Sequence, residues 1–464
     1  MANNEIQLMA HLMRRAGFGA PFEELEARVA KGYEATVEEL LRAEEKPDWE
    51  EDVARRHMIG GHLGNAMPEI QGFWMQRMIA TTRPLQEKMT LFWHTILCSG
   101  DSKLDHPETM DTHIDMVREK ALGRYPDLLV ALSRDPAMII YLDNRYSHKD
   151  SINENYGREL LELFSMGVGN YTEDDVKMAA RAFTGWTLAP AMNSFIPYQR
   201  HAFKFQYDPE DHDDGEKVFL GQRGRFNGDD IINIIARQPA TARFIARHLY
   251  SYFVADELPV PEWPYNPPRD PEAIEQLVRA YFDSNYDIRS MLRVLFNSDA
   301  FKNARFSKVK SPTETVVGTM RLVGDFSVPK PGMNAMALNI RYMGQDLMNP
   351  PTVEGWHTGR EWIDSGTLVE RINFTADAVG NTSHPGIQAI IRRLGSQGPT
   401  ITPEQLVDGC LDMLGAYELA DVTRNEMLSL ARSEGEIRTG SKEFEDRVGQ
   451  MLQSIVATTE YLFA

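Results

Sequence analysis

The sequence predicts a mainly α-helical protein: one large helical domain with a small β-hairpin insertion. Three observations lead there. Apolar residues recur at helical spacing along most of the chain, helix start signals precede several of these runs, and strict alternation is confined to one short stretch. With 464 residues, 42% apolar and 25% charged, the chain has ample material for a sizeable core and is not disordered throughout.

Taken in order, Pro84 to Cys98 places Leu85, Met89, Phe92 and Ile96 on one side of a helix. In Asn153 to Gly169, residues about 100° apart put Ile152, Tyr156, Leu160, Leu163 and Phe164 on one face and Glu154, Asn155, Arg158 and Glu162 on the other. Thr172 and Asp175 form a capping pattern ahead of Val176, Ala179, Ala180 and Phe183, with Gly185 placed to end that helix. Phe203, Phe205 and Tyr207 alternate with polar residues, and Val218 to Leu220 follow an acidic turn, which reads as a hairpin. Pro239 opens a helix striped by Phe244, Ile245, Leu249 and Phe253. The prolines of LPVPEWPYNPPRDP exclude regular structure and mark a connector. At Ser311, Pro312 suits the first helical position, Glu314 completes a capping box and Gly324 closes the helix. The resulting division is a main helical domain over 1–380, with the hairpin insertion at about 199–227 and the connector at 257–271, and a helical extension over 381–464 packing on it. Gly380 to Pro403 reads as a looser stretch.

Lysine plus arginine total 49 against 68 aspartate plus glutamate, a net charge of −19, which repels phosphate backbones and anionic lipid. Neither nucleic acid nor a membrane is an expected partner. Only Cys98 and Cys410 occur, so no disulfide framework holds the fold. No apolar run approaches the roughly 18–20 residues of a bilayer span, and the start lacks the apolar core and cleavage site of a signal peptide. A cytoplasmic location is expected on that ground, an exported one if a leader has been trimmed away.

Glu159 breaks the helical partition, projecting within roughly 20° of Ile152 and toward the core. A buried carboxylate must be paired or protonated, so it is either a structural ion-pair member or, with Glu162, a functional acid/base group. Glu154, Arg158 and Glu162 at four-residue spacings also suit a surface ion-pair ladder. His94, in LFWHTILC, is either a hydrogen-bonded core histidine or a ligand facing an inward carboxylate. In the acidic turn DPEDHDDGE, His212 and Asp213 suit proton transfer, whereas Asp208, Glu210 and Asp214 read as solvated. The run NPPTVEGWHTGREW offers Trp356 and Arg360, with His357, for stacking on a ring and forked donation to oxygens, or for plugging a seam. The standard serine-hydrolase, phosphate-loop, dinucleotide and zinc-protease signatures are missing.

Six segments in order carry a resemblance: HLMRRAGFG at His11–Gly19, FWH at Phe92–His94, DPAMIIYLDN at Asp135–Asn144, NENYGRELLELFSMGVGNYTEDDV at Asn153–Val176, ARAFTGW at Ala180–Trp186 and NPPTVEGW at Asn349–Trp356. From about His11 to Phe374 the chain resembles the bacterial family catalogued as domain of unknown function 1800. The resemblance implies no settled activity; many relatives look secreted and are encoded beside a family resembling sulfatases. It marks His94, Asn153, Asn155, Arg158, Glu159, Glu162, Trp186, His212 and Trp356 as motif positions. Relatives often read Trp-His-Asn-His where this chain has Trp93-His94-Thr95-Ile96, so a second helix-borne histidine is lacking.

The expected function is an enzyme with a buried pocket of hydrolase or lyase type, acting on a polar, oxygen-rich small molecule, saccharide or peptide. Glu159, Glu162, His94, His212 and Asp213 are the catalytic candidates, and Asn153, Asn155, Arg158, Trp186, Trp356 and Arg360 the binding ones. A divalent cation is the cofactor such groups would take. The alternatives are a non-catalytic scaffold or a glycan- or protein-binding partner, and then a redox metalloenzyme.

Overall fold

Helix start signals and buried faces build this molecule almost entirely from helices. The computed structural model describes residues 2–56, 67–104, 106–189 and 203–464, and among them are 24 α-helices and three two-stranded antiparallel sheets. The main apolar core runs from Met9 to Tyr461, so the helices beyond residue 380 share it with those before, and a small second cluster gathers Cys98, Val309, Trp356 and Trp362. No described helix is long and apolar enough to cross a membrane.

The central element is the helix Pro84–Ile96, which is buried on nearly every side. A helix apolar all round belongs in a core, and the two charged side chains this one carries, Glu87 and Lys88, are both paired. Glu87 accepts from Arg77 at 2.8 Å, Arg118 at 2.7 Å and the Trp74 indole at 3.0 Å. Lys88 pairs with Glu314. Both capping boxes form as the sequence predicts, at Thr172 with Asp175 and at Ser311 with Glu314, and Gly324 ends the second helix in the left-handed conformation.

The strand region differs from the expected single hairpin. Phe205–Tyr207 pairs with Trp186–Leu188, while Lys217–Phe219 pairs with Gln222–Gly224 across the tight turn Leu220-Gly221, where φ is 46° and 76°. Alternation shows that a segment is a strand but not which strand it meets; a turn with positive φ at both central residues closes the second hairpin locally. The part of the insertion at 199–202 lies outside the described residues. A third pair, Thr400–Ile401 with Ile437–Arg438, and the helix Pro385–Gly395 occupy what reads from sequence as loose or purely helical chain. The connector is irregular apart from a turn of 3-10 helix at Val260–Glu262.

Candidate functional site

His94 lies in the middle of the molecule with no exposed surface. Its Nε2 accepts the backbone N–H of Met348 at 2.9 Å, which assigns the ring proton to Nδ1. The imidazole is packed against Trp74 and Trp356, ring centroids 5.5 and 5.3 Å away. Burial, reinforced by His113, pulls its pKa down to about 3, so it is neutral at physiological pH. His113 escaped the sequence reading. It shares an apolar stripe with Met110, Ile114 and Val117 on the helix Pro107–Lys120, and its Nδ1 meets Asp135 at 2.6 Å. That carboxylate also caps the helix Pro136–Tyr141. His94 Nδ1 and His113 Nε2 are both buried with no protein partner.

Trp356 forms the cover of His94 and, on its other side, a wall of a cleft of about 740 Å³. The loop carrying it is pressed onto the end of the central helix: Gly355 has φ +92°, and a Cβ there would lie 2.5 Å from the Thr95 carbonyl oxygen. The opposite wall is the proline-rich connector. Its path is set by Arg247, which forks to Glu257 at 2.7 and 3.1 Å, donates to the Asn266 carbonyl at 3.0 Å and stacks 4.6 Å from the Trp263 ring. In a segment without ladder hydrogen bonds, one buried guanidinium thus satisfies two carbonyls, those of Asn266 and Pro267. Trp263 packs in turn against His248, the ring centroids 4.6 Å apart and the rings tilted by 56°.

Most charges in the cleft are already committed. Asp256 accepts from the Val309 N–H at 3.0 Å and faces Lys308 at 3.4 Å. Glu257 accepts from Arg247 and from the Arg269 N–H at 2.7 Å, and Glu361 meets His357 at 2.6 Å. Among the described residues, the side chains of Arg269, Arg360 and Glu354 make no ion pair or hydrogen bond with the protein, although all three line the cleft. His248 Nε2 and the Tyr252 hydroxyl, both on the lining, are buried and unpartnered. Burial, then Arg247, lowers His248 to about 3, and burial raises the Tyr252 phenol well above its ordinary value, so both present neutral hydrogen-bonding groups.

Of the residues singled out from sequence, the structure brings His94, Trp356, His357 and Arg360 to this place. The others lie elsewhere. Arg158 forks to Glu173 at 2.9 and 2.7 Å, with Glu154 at 3.5 Å, so of the expected ladder only the Glu154–Arg158 pair forms and Glu173 takes the place of Glu162. Asn153 turns the chain into the helix Asn155–Glu162, its Oδ1 accepting from the Asn155 N–H at 3.0 Å. Glu162 accepts from the Tyr171 hydroxyl at 2.8 Å. His212 donates through Nδ1 to the Thr184 carbonyl at 2.9 Å, and Asp213 is held by Arg181 at 2.7 and 3.1 Å, which keeps that carboxyl below its usual range. Trp186 is buried and donates to Asn227 at 2.8 Å. These last three brace the two small sheets rather than line the cleft. The shared pocket expected for Glu159, Arg158 and His94 is not formed. Nor do three His, Cys, Asp or Glu residues gather as metal ligands would among the described residues.

Glu159 is half-buried, and burial followed by repulsion from Glu162 raises its carboxyl. A raised carboxyl disfavours the ionised form in the folded state, a cost present at neutral pH and relieved as pH falls through the folded value. Glu159→Gln is therefore expected to raise stability at pH 7 by a few tenths of a kcal/mol up to about 1, discounted for solvent screening, with the gain vanishing in acid. Urea unfolding at pH 7 and pH 4 reads this; a large loss at pH 7 would show that the carboxylate is needed ionised.

A helical protein whose irregular loops enclose an aromatic-walled, partly charged cleft over a buried histidine is the class these features define. The chain belongs to the family described as protein of unknown function (DUF1800), whose model matches residues 11–463. No curated protein and no solved structure matches the chain.

Proposed function

We propose that this protein is an enzyme that binds an acidic, oxygen-rich substrate of saccharide type in the Trp263–Trp356 cleft and cleaves it by acid/base chemistry. The observation that carries the reading is the set of side chains in the cleft with no protein partner: two arginines and one carboxylate. Guanidinium forks match carboxylate oxygens, and indole faces match the apolar faces of sugar rings. Two unpaired cations in a chain of net charge −19 favour an anionic ligand at this place over the surrounding surface. Glu354 is the one cleft carboxylate not already accepting hydrogen bonds, so it is the group for proton exchange, with His248 and Tyr252 orienting hydroxyls.

The second reading, a binding protein without turnover, is favoured by one observation: three of the four carboxylates in the cleft are tied to protein partners. The readings separate by measurement. With uronate-containing oligosaccharides as the probe panel, Glu354→Gln should reduce turnover by about 10²–10⁴-fold while affinity changes little, and Arg360→Met should weaken binding by about tenfold or more. Binding lost in Arg360→Met with no turnover in any protein would leave the binding reading. Saccharide binding and turnover unchanged in both variants, or capture of acidic peptides only, would overturn the proposal.

A further inference from the structure

Behind and beside the cleft, the protein buries a group of cations that its buried carboxylates do not balance one for one. Arg15 is 0%, Lys88 0%, Arg371 1%, Lys308 4% and Lys310 8% exposed. The guanidinium of Arg14 has two nitrogens equally out of solvent. Against these six stands one buried carboxylate, Glu314, with both oxygens used, one by Lys88 and one by the Ser311 N–H at 2.7 Å. Asp256 serves Lys308 at the cleft, and Glu418, half exposed, pairs with Arg305 at 3.3 Å.

The imbalance centres on a chamber of about 60 Å³ lined by Arg14, Lys310, Glu314, Thr319, Tyr417 and Tyr461. At about 10–15 Å³ per ordered water, that is room for a few waters or one small polyatomic ion. Arg14 gives Nη1 to the Gly415 carbonyl, while Nε and Nη2 find no acceptor. Arg371 gives Nη1 to the Lys310 carbonyl at 2.8 Å and to the Thr315 hydroxyl at 3.2 Å, both residues of the chamber wall, and its Nε and Nη2 are likewise unmatched. Lys310 donates to the Tyr461 carbonyl at 2.6 Å and lies 3.7 Å from that ring. A buried lysine can shed its proton. A guanidinium at neutral pH does not, so each of these arginines needs a counter-charge.

We infer that this chamber is a binding site for a small oxyanion, phosphate or sulfate, held by the unmatched nitrogens of Arg14 beside Lys310, with Arg371 behind the wall adding positive charge. A guanidinium fork with an amine beside it suits a tetrahedral oxyanion with several acceptor oxygens better than a monatomic ion. Gly19, Ala20 and Leu322 on the rim are partly exposed, which gives a route in.

The test uses the full chain exchanged into chloride buffer free of phosphate and sulfate. Ion chromatography of the denatured protein reads retained anion, and thermal melting against phosphate, sulfate and chloride at constant ionic strength reads rebinding. Expected is either close to one equivalent of retained phosphate or sulfate, or a saturating rise in Tm with inorganic phosphate, about 2–4 °C at a hundredfold excess over Kd. Arg14→Met should abolish retention or the rise; if it fails to fold, Lys310→Met, which leaves the guanidinium, should weaken the response at least fivefold. No retained oxyanion together with no saturable response overturns the inference, as does an equal response to chloride. A response of wild-type size in every folded variant overturns the location.

Discussion

Exchanging Glu314 for glutamine is expected to lower the stability of the protein by about 3–5 kcal/mol at pH 7, the usual consequence of removing one partner of a buried ion pair. Burial alone would push this carboxyl up, but Lys88, Lys308 and Arg15, with the hydrogen bond from Lys88, outweigh it and hold the group at about 2. The unfolded chain titrates near 4.5. At about 1.4 kcal/mol per decade, the difference corresponds to about 3 kcal/mol of stability at neutral pH. A carboxyl depressed on folding stabilises above its unfolded value, and that contribution is lost as pH falls from about 4.5 toward 2. The wild type should therefore lose its advantage over Glu314→Gln across that window. Urea unfolding of both proteins between pH 7 and pH 3 checks this; a constant difference across the range would mean that the ionised carboxylate contributes nothing specific. The substitution also spares the shape of the capping box while removing charge. A mere capping role would limit the loss to about 1 kcal/mol.

Glu314 also shows how much the sequence discloses. Its place as the third residue of a capping box is legible because Ser311, Pro312 and Glu314 are close in sequence and the geometry of a helix start is local. Its second partner, Lys88, is 226 residues away and has no local signature. The same split recurs throughout. The helices at Pro84, Thr172, Pro239 and Ser311 follow from nearby residues, whereas the pairing of Phe205–Tyr207 with Trp186–Leu188 depends on chain that has to return from a distance. For the candidate site, Trp356 and Arg360 stand out because tryptophan and arginine in irregular backbone are unusual, and His94 because an imidazole interrupts an apolar run. Their common cleft could not be read, since its other wall is the connector, whose prolines announce only that it is irregular. Trp263 and Arg269 were inside that segment and carried no periodic signal. Glu159 misleads for the opposite reason: an ideal helix turns it toward the core, but the helix ends at Glu162 and leaves it half-buried beside Glu162.

The largest expected loss of ligand binding follows from one methyl group. Gly355 sits between Glu354 and Trp356, with φ +92° and the Thr95 carbonyl oxygen and Cys98 sulfur 2.5 and 3.0 Å from where a Cβ would stand. In Gly355→Ala the backbone strain alone costs about 1–3 kcal/mol. The contact with a main-chain oxygen at the end of a buried helix cannot be relieved by a side-chain rotation, so the loop has to lift. Lifting moves Trp356 off the His94 ring, 5.3 Å away, and shifts Glu354 and Arg360 together. Displacements of about 1 Å in a positioned group cost on the order of a hundredfold in rate. The expected result is a folded protein with lower Tm, indole fluorescence changed by exposure of Trp356, and saccharide turnover or affinity reduced about a hundredfold, more than in Arg360→Met, which removes one contact. If Gly355→Ala lowers Tm yet leaves ligand binding intact, the cleft beside Trp356 is not where the ligand sits, because no other element of that wall holds the three side chains in register.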